Sequence, residues 1–306
     1  MGTRQWMAES YNRIRRNGIK GAKHSFRPVK NKILSFSDPL FSSGDSIYEM
    51  DWDLLIVMDA CRLDLMQEVA ADYDWIEQIE SIRSVNSTTT AWMRDTFTED
   101  RRRQMAETAY ICGNPFSESK LDSRDFSVLE EVWKSAWTDP GTVPPEAITD
   151  ETIRIMRETD HDYVIAHYMQ PHCPFLSKPK LSRGKELDKF GNQDWRDVWE
   201  QLEDGDLNRN EVWEGYRDNL HYGLDEVEEL LRNVDADKVI ITSDHGNAVG
   251  EWTVYGHPPD LPLTCLRSVP WIETSATDDE TREIGDWDSH SIDTNREEQL
   301  SALGYR

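Results

Sequence analysis

Long apolar runs are missing from this sequence. No stretch approaches about 18 consecutive apolar residues, so no transmembrane helix is expected. The first residues hold no apolar segment of the kind that marks a secretory leader, so the expected compartment is the cytoplasm. Cysteine is sparse: Cys61, Cys112, Cys173 and Cys265 are widely spaced and form no C-x-x-C. That spacing speaks against a zinc ribbon and points to buried thiols rather than disulfides. Positive charge is also in short supply, with 34 Lys and Arg against 59 Asp and Glu and a net charge of −25. Such a balance argues against a general nucleic-acid binder. Only 11 of the cations are lysines, and the acidic excess is distributed along the chain. This reads as adaptation to high salt better than as an acidic tail on an ordinary protein.

What cations there are gather at one end. Residues 1–32 carry nine (Arg4, Arg13, Arg15, Arg16, Lys20, Lys23, Arg27, Lys30, Lys32) and one acid, Glu9, leaving 25 basic and 58 acidic residues, or −33, for the rest. Such an arm suits an anionic membrane surface, the acidic body of the protein itself, or a partly helical extension without a partner. Trp6, Met7, Tyr11, Ile14 and Ile19 form an imperfect helical stripe compatible with an interfacial helix.

The 306 residues suffice for one large α/β domain or two smaller ones. Over residues 50–273, short apolar runs alternate with amphipathic stretches, as in a three-layer α/β/α sandwich with a mostly parallel central sheet. Strands are predicted at 53–58, 108–112, 162–168, 237–243 and 268–273. The clearest helix is 211–232, where Trp213, Tyr216, Leu220, Leu224, Val227 and Leu231 recur at spacings of three and four. Residues 1–49 read as a basic arm and linker. Residues 176–209, polar with three glycines, read as a lid insertion or a solvated excursion. Residues 274–306 read as an acidic, mobile tail, from which 299–305 could dock back as a short helix.

Two apolar runs stop at acids. Leu54–Met58 runs into Asp59, and Val239–Ser243 runs into Asp244-His245-Gly246. In open α/β sheets ligands sit beyond the carboxyl ends of the strands, so these side chains can converge on one edge. Asp59 alone is a metal ligand or a helix cap. Asp244 and His245 together, in a loop that glycine makes tight, are a stronger ligand pair, and His257 lies twelve residues on. Carboxylate with imidazole suits Zn or Mn better than Ca. Ser87-Thr88-Thr89-Thr90 precedes a helix predicted at 90–98. A hydroxyl there either caps the helix or serves as a nucleophile, with a metal to lower its pKa. His172 sits between Pro171 and Pro174 in a turn, placed to meet an anionic oxygen or a second metal, whereas His167 alternates with buried residues and reads as a packed histidine.

The order Asp59-x-x-Arg62-x-Asp64, a Thr at a helix start, a His-x-Pro turn, then Ser-Asp-His-Gly-Asn-Ala-Val-Gly-Glu and Gly-His resembles the alkaline phosphatase superfamily, in its sulfatase-like and phosphotransferase-like branch. The resemblance covers residues 50–273, and 244–251 is its most specific part. It implies that Asp59, Asp244 and His245 bind a first divalent transition metal, that His257 and His172 contact a second metal or the substrate oxygens, and that Thr89, three before Trp92, is the nucleophile, with Thr88 and Thr90 as alternatives. Arg62 and Asp64 would brace the Asp59 loop, or Arg62 would join Thr88 in facing the anion. Neither Cys61-Arg62 nor Cys173-Pro174 fits the C-x-P-x-R motif of formylglycine sulfatases. The chain has Asp-His where calcium sulfatases often have Asp-Asn. Gln170 stands near the place of a third Asp, which puts a complete second metal site in doubt.

The implied activity is metal-dependent hydrolysis of a phosphate or sulfate ester through a covalent threonine, on a small-molecule, lipid or glycan substrate. The alternatives are a membrane-associated phospho-head-group transferase anchored by residues 1–32, and a non-catalytic binding module on the same fold.

Overall fold

In the computed structural model, the structure describes Arg15 and residues 25–35, 44–181, 197–285 and 287. Seven strands build the central sheet: β1 (Leu54–Met58), β2 (Glu80–Arg83), β3 (Thr108–Cys112), β4 (Val128–Glu130), β5 (Tyr163–Tyr168), β6 (Ala236–Thr242) and β9 (Ser268–Ala276). A hairpin of β7 (Ala248–Val249) and β8 (Tyr255–Gly256) stands apart. The sheet order is β2-β9-β6-β1-β5-β3-β4. β6, β1, β5, β3 and β4 run parallel, and β9 and β2 add an antiparallel edge.

All five predicted strands are present. β1 is central and wholly buried, and its alternation divides the core. Leu54, Ile56 and Met58 face one cluster that includes Ile148 and Ile153 of helix Pro145–Glu158 and Leu220, Leu224 and Val227 of helix Arg209–Leu231. Leu55 and Val57 face a second cluster with Trp92, Met93, Tyr110 and Ile240. Two apolar layers on opposite faces of one sheet are what a run without alternating polarity requires. The long helix matches its predicted stripe, except that Trp213 is only partly buried. It packs close to the end of β1 because position 223 is glycine: a Cβ there would lie 2.7 Å from Met58 Cε.

Two expectations change, and one set of alternatives narrows. The segment after β9 is tied to the body as far as Trp287. Asp150 accepts from Arg282 Nε (2.6 Å), Gly285 N (3.0 Å) and Trp287 Nε1 (2.8 Å), and Asp278 pairs with Arg157 (2.6 Å). Sequence polarity suggested mobility, but polar partners across the gap hold this stretch instead of apolar burial. Second, helix Val198–Glu203 of the supposed excursion buries Val198, Trp199 and Leu202, and Trp199 meets Phe175 and Tyr216 edge-on. Of the settings open to the basic arm, residues 25–35 take the acidic body: they are helical, and Arg27 pairs with Glu200 (3.1 Å) and Glu203. The stripe Trp6 to Ile19, the segment 182–196 and residues 299–305 lie outside the described residues.

Candidate metal centre and nucleophile

Every candidate residue of the site leaves the carboxyl end of a parallel strand or a loop beside it. Asp59 follows β1 directly, where its N–H donates to Tyr168 O at the end of β5 (3.1 Å) and its carbonyl accepts from His172 N (3.2 Å). Ala60 then turns in the left-handed region (φ 62°). A non-glycine there is strained, and the surroundings hold it. Ala60 N donates to Asp244 Oδ1 (2.9 Å), Cys61 N to Ser243 Oγ (2.8 Å), and the Tyr216 hydroxyl donates to Ala60 O. The loops after β1 and β6 are thus joined across the edge of the sheet. Gly246 lets the helix Thr264–Arg267 lie against the loop after β6: its N–H donates to Leu266 O (2.8 Å), and a Cβ at 246 would meet Cys265 O at 2.3 Å.

The two carboxylates each use one oxygen on the protein. Asp59 Oδ2 accepts from Asn114 Nδ2 (2.8 Å). Asp244 Oδ1 accepts from Ala60 N and from His245 N (2.8 Å). The other two, Asp59 Oδ1 and Asp244 Oδ2, are buried without a hydrogen-bond partner among the described residues. His245 Nδ1 lies 2.9 Å from Gly246 O, which can only accept, so Nδ1 carries the proton and the Nε2 lone pair is left over. That nitrogen sits 3.4 Å from Asp244 Oδ2 and 3.9 Å from Asp59 Oδ1, and the three ligand atoms lie within 4.8 Å of one another. Burial, and then the Asp244 charge, raise the Asp59 pKa well above the ordinary carboxylate range, and burial lowers that of His245. Two buried carboxyl groups with unpartnered oxygens around one unprotonated ring nitrogen fit a divalent cation, and the mixed oxygen and nitrogen donors fit a transition metal. Among the described residues no second group of three such ligands occurs.

Thr89 begins the helix Thr89–Thr96 and is fully buried, with its hydroxyl donating to His245 Nε2 at 3.1 Å. Thr88 holds the N-cap position but makes no side-chain cap bond; its Oγ1 lies 3.3 Å from His257 Nδ1. Thr90 is only half-buried. The hairpin β7–β8 returns His257 to the pocket, where its ring stacks on His245 with centroids 4.5 Å apart. His257 Nε2 lies 3.1 Å from His172 Nε2, so one of them must donate. Burial, with His245 and His172 beside it, holds the His257 pKa well below the usual value. Burial also acts against protonation of His172, but Cys173 and Asp244 outweigh it and push its pKa up to about 8, making His172 the donor. Asn219 fixes the turn that carries His172, donating to Pro171 O (3.2 Å) and His172 O (3.0 Å).

Asp59, Thr88, Thr89, His172, Asp244, His245 and His257 therefore share one pocket edge. Arg62 has other partners. Its guanidinium donates to Asp64 (2.8 and 2.6 Å), Asn247 O (2.6 Å) and Glu251 (2.8 Å), so the geometry makes it a brace between the two metal-side loops. His167 is buried and bonded to the Tyr110 hydroxyl (2.7 Å), as its alternation with core residues predicts. Asn114 escaped sequence reasoning. Its signal is the Gly113-Asn114 turn that follows the predicted strand β3, at the same edge as the acids.

No protein-family model and no curated protein sequence matches this chain. Solved structures do. The soluble domain of lipooligosaccharide phosphoethanolamine transferase A from Neisseria meningitidis matches at 15% identity over 83% of this chain and 89% of that one, with a TM-score of 0.52. The integral membrane protein lipooligosaccharide phosphoethanolamine transferase A, from the same organism, matches at 14% identity and a TM-score of 0.50, over 84% of this chain but only 56% of that longer one. The C-terminal periplasmic domain of a phosphoethanolamine transferase from Campylobacter jejuni matches at 15% identity, over 74% of this chain and 79% of that one, with a TM-score of 0.49. What is shared at such identities is the fold alone. The cytoplasmic expectation is not supported, since the matched Neisseria meningitidis domain is the soluble domain of a transferase that is also solved as an integral membrane protein. Among the described residues no helix is long and apolar enough to cross a membrane, which does not define a compartment.

Proposed function

We propose that this chain is a metal-dependent enzyme that carries out displacement at a phosphate or sulfate ester, with Thr89 as the nucleophile. One observation carries the reading: the Thr89 hydroxyl lies 3.1 Å from the free nitrogen of His245, beside two buried carboxylate oxygens that have no partner. Asp59, Asp244 and His245 would hold a divalent transition metal, Zn or Mn, which lowers the pKa of a nearby hydroxyl and withdraws charge from the attacked group. Thr89 Oγ attacks phosphorus, its proton leaves, the bond from phosphorus to the leaving oxygen breaks, and a phosphothreonine ester remains. Water or a second alcohol then attacks that ester and regenerates Thr89. The first N–H groups of the helix Thr89–Thr96 lack intrahelical partners and favour anionic oxygens. Thr88 stands beside them as a further donor to the substrate, and His172, whose two N–H groups face Cys173 O and His257 Nε2, would meet a substrate oxygen only by releasing His257. A threonine with no formylglycine motif suits phosphoryl better than sulfuryl chemistry.

The acceptor decides between a hydrolase and a phospho-head-group transferase. The fold likeness to a lipooligosaccharide phosphoethanolamine transferase supports an alcohol acceptor on a lipid or glycan. Protein reconstituted with Zn or Mn should be incubated with an aryl phosphate monoester, a phosphodiester and a sulfate, with and without a lipid or sugar alcohol. Turnover, with a phosphoryl adduct on the peptide holding Thr89, is the expected result. Turnover that survives Thr89→Ala would refute the nucleophile, and a chain that neither binds metal nor forms an adduct would be a binding module.

A further inference from the structure

Five large apolar side chains are exposed among the described residues: Phe26, Val29, Ile33, Trp252 and Ile284. Three of the five lie on one helical stretch, and a fourth, Trp252, neighbours a residue that this stretch contacts. Phe26, Val29 and Ile33 lie at spacings of three and four along the helical stretch 25–35, at 61%, 45% and 65% exposure. The neighbouring face of that stretch, about 100° round the helix, is docked. Arg27 pairs with Glu200 and Glu203, Leu34 packs on the cluster of Ala248, Val254, Leu261 and Leu266, and Lys30 Nζ reaches Thr253 Oγ1 (3.3 Å). Thr253 adjoins Trp252 at the tip of the β7–β8 hairpin, and Trp252 is 75% exposed. Both residues lie in the left-handed region, with φ 51° and 58°. A tryptophan and a β-branched residue there are backbone outliers, and burial of the Trp252 ring within the fold does not compensate for them. The same hairpin leads from the Asp244–His245 loop to His257.

We infer that Val29, Ile33 and Trp252 form a surface that seats this chain on an anionic lipid bilayer, beside the pocket that holds Thr89. An exposed aliphatic stripe with an aromatic beside it is the composition that partitions into the headgroup layer. Charge selects the kind of bilayer. The chain beyond residue 32 carries −33 and is repelled by an anionic surface, whereas residues 1–32, with nine cations and one acid, are attracted to it. Val29 belongs to that cationic segment and Ile33 follows it directly, with Lys32 exposed beside it. Apolar contact and charge attraction therefore fall on one continuous stretch of the sequence. The inference deepens the proposed function, since it gives the Thr89 pocket a lipid-borne ester or acceptor as substrate.

Co-sedimentation of the full chain with vesicles tests it, comparing phosphatidylglycerol mixed into phosphatidylcholine with phosphatidylcholine alone, at low and high salt. The wild type should bind the anionic vesicles and release them as salt rises. Val29→Ser with Ile33→Ser, and separately Trp252→Asn, should each weaken that binding by about tenfold or more. Trp252→Asn suits the left-handed backbone and should fold at least as well as the wild type. Turnover of a soluble aryl phosphodiester should be unchanged in both variants, and Thr89→Ala should bind vesicles like the wild type, so failure of the chemistry is told apart from failure of the surface. Variants that bind as the wild type does, or equal binding to neutral vesicles at any salt, would overturn the inference. So would a dimer in solution that these variants dissociate while vesicles are ignored, since the surface would then belong to a second copy.

Discussion

Two buried acidic clusters sit in this fold, and they are built on opposite principles. At Asp150, a carboxylate that is 4% exposed takes an ion pair and two N–H donors, while Arg282 also pairs with Glu226 (2.8 Å). That cluster carries its own cation, with both oxygens of Asp150 bonded, and anchors the segment after β9. At the carboxyl edge of the sheet, Asp59 and Asp244 face each other with no cation among their partners, and each leaves one oxygen unbonded. Burial of charge is costly unless it is paired, so the first cluster is a fastening and the second is half of a site. The contrast shows that incomplete satisfaction marks chemistry more reliably than acidity does.

The contrast breaks most visibly if the site can be emptied without loss. Asp244→Ala and Thr89→Ala should each lower turnover of an activated phosphoester by about 10⁴-fold or more, with circular dichroism unchanged, because groups that act as one unit fail together. Turnover within tenfold of the wild type would contradict this. Arg282→Met does the reverse. It leaves Asp150 and Glu226 buried without their cation and should cost about 3 kcal/mol in denaturant unfolding, while turnover per folded molecule is unaffected. A midpoint unmoved in guanidinium would mean that the fastening is ornamental.

Smaller effects sharpen the same comparison. Asn114 orients Asp59, so Asn114→Ala should weaken Zn or Mn binding by about 10–100-fold in a competition titration. Unaltered affinity would remove Asn114 from the site. In chelator at neutral pH, Asp59→Asn should raise the stability of the metal-free protein by about 1 kcal/mol, since burial and the Asp244 charge disfavour the ionised carboxylate that the unfolded chain carries, a cost that an amide does not have. The same change at Asp150 should destabilise. A residue whose neutralisation stabilises the apoprotein yet abolishes turnover is held for function rather than for folding.

Much of this was legible in the sequence because central parallel strands are apolar on both faces. β1, β3, β5 and β6 announce themselves as runs, and two of them end on the metal-side acids. Edges were not legible: β2 (Glu80–Arg83) and β4 (Val128–Glu130) are short and half-solvated, so no apolar run marks them. The helix Pro145–Glu158 was missed although Pro145 stands at its first turn, a recognised start signal. At the site, Asp59, Asp244 and His245 could be named because residue type and strand ends coincide, and the choice of Thr89 over Thr88 and Thr90 came from the family resemblance. Asn114 and Asn219 act through side-chain bonds to groups far along the chain, and no local pattern encodes that. Nor could polarity alone distinguish a loose tail from residues 277–285, which partners such as Asp150 and Asn233 hold from a distance.

The account stands on a cation shared by three side chains next to a threonine hydroxyl. Anomalous scattering from crystals grown with Mn or Zn addresses that directly. The account predicts one strong peak about 2.0–2.3 Å from Asp59 Oδ1, Asp244 Oδ2 and His245 Nε2, with Thr89 Oγ1 beside it. Saturating metal with no peak among these atoms, or a peak that persists there in Asp244→Ala, would contradict it.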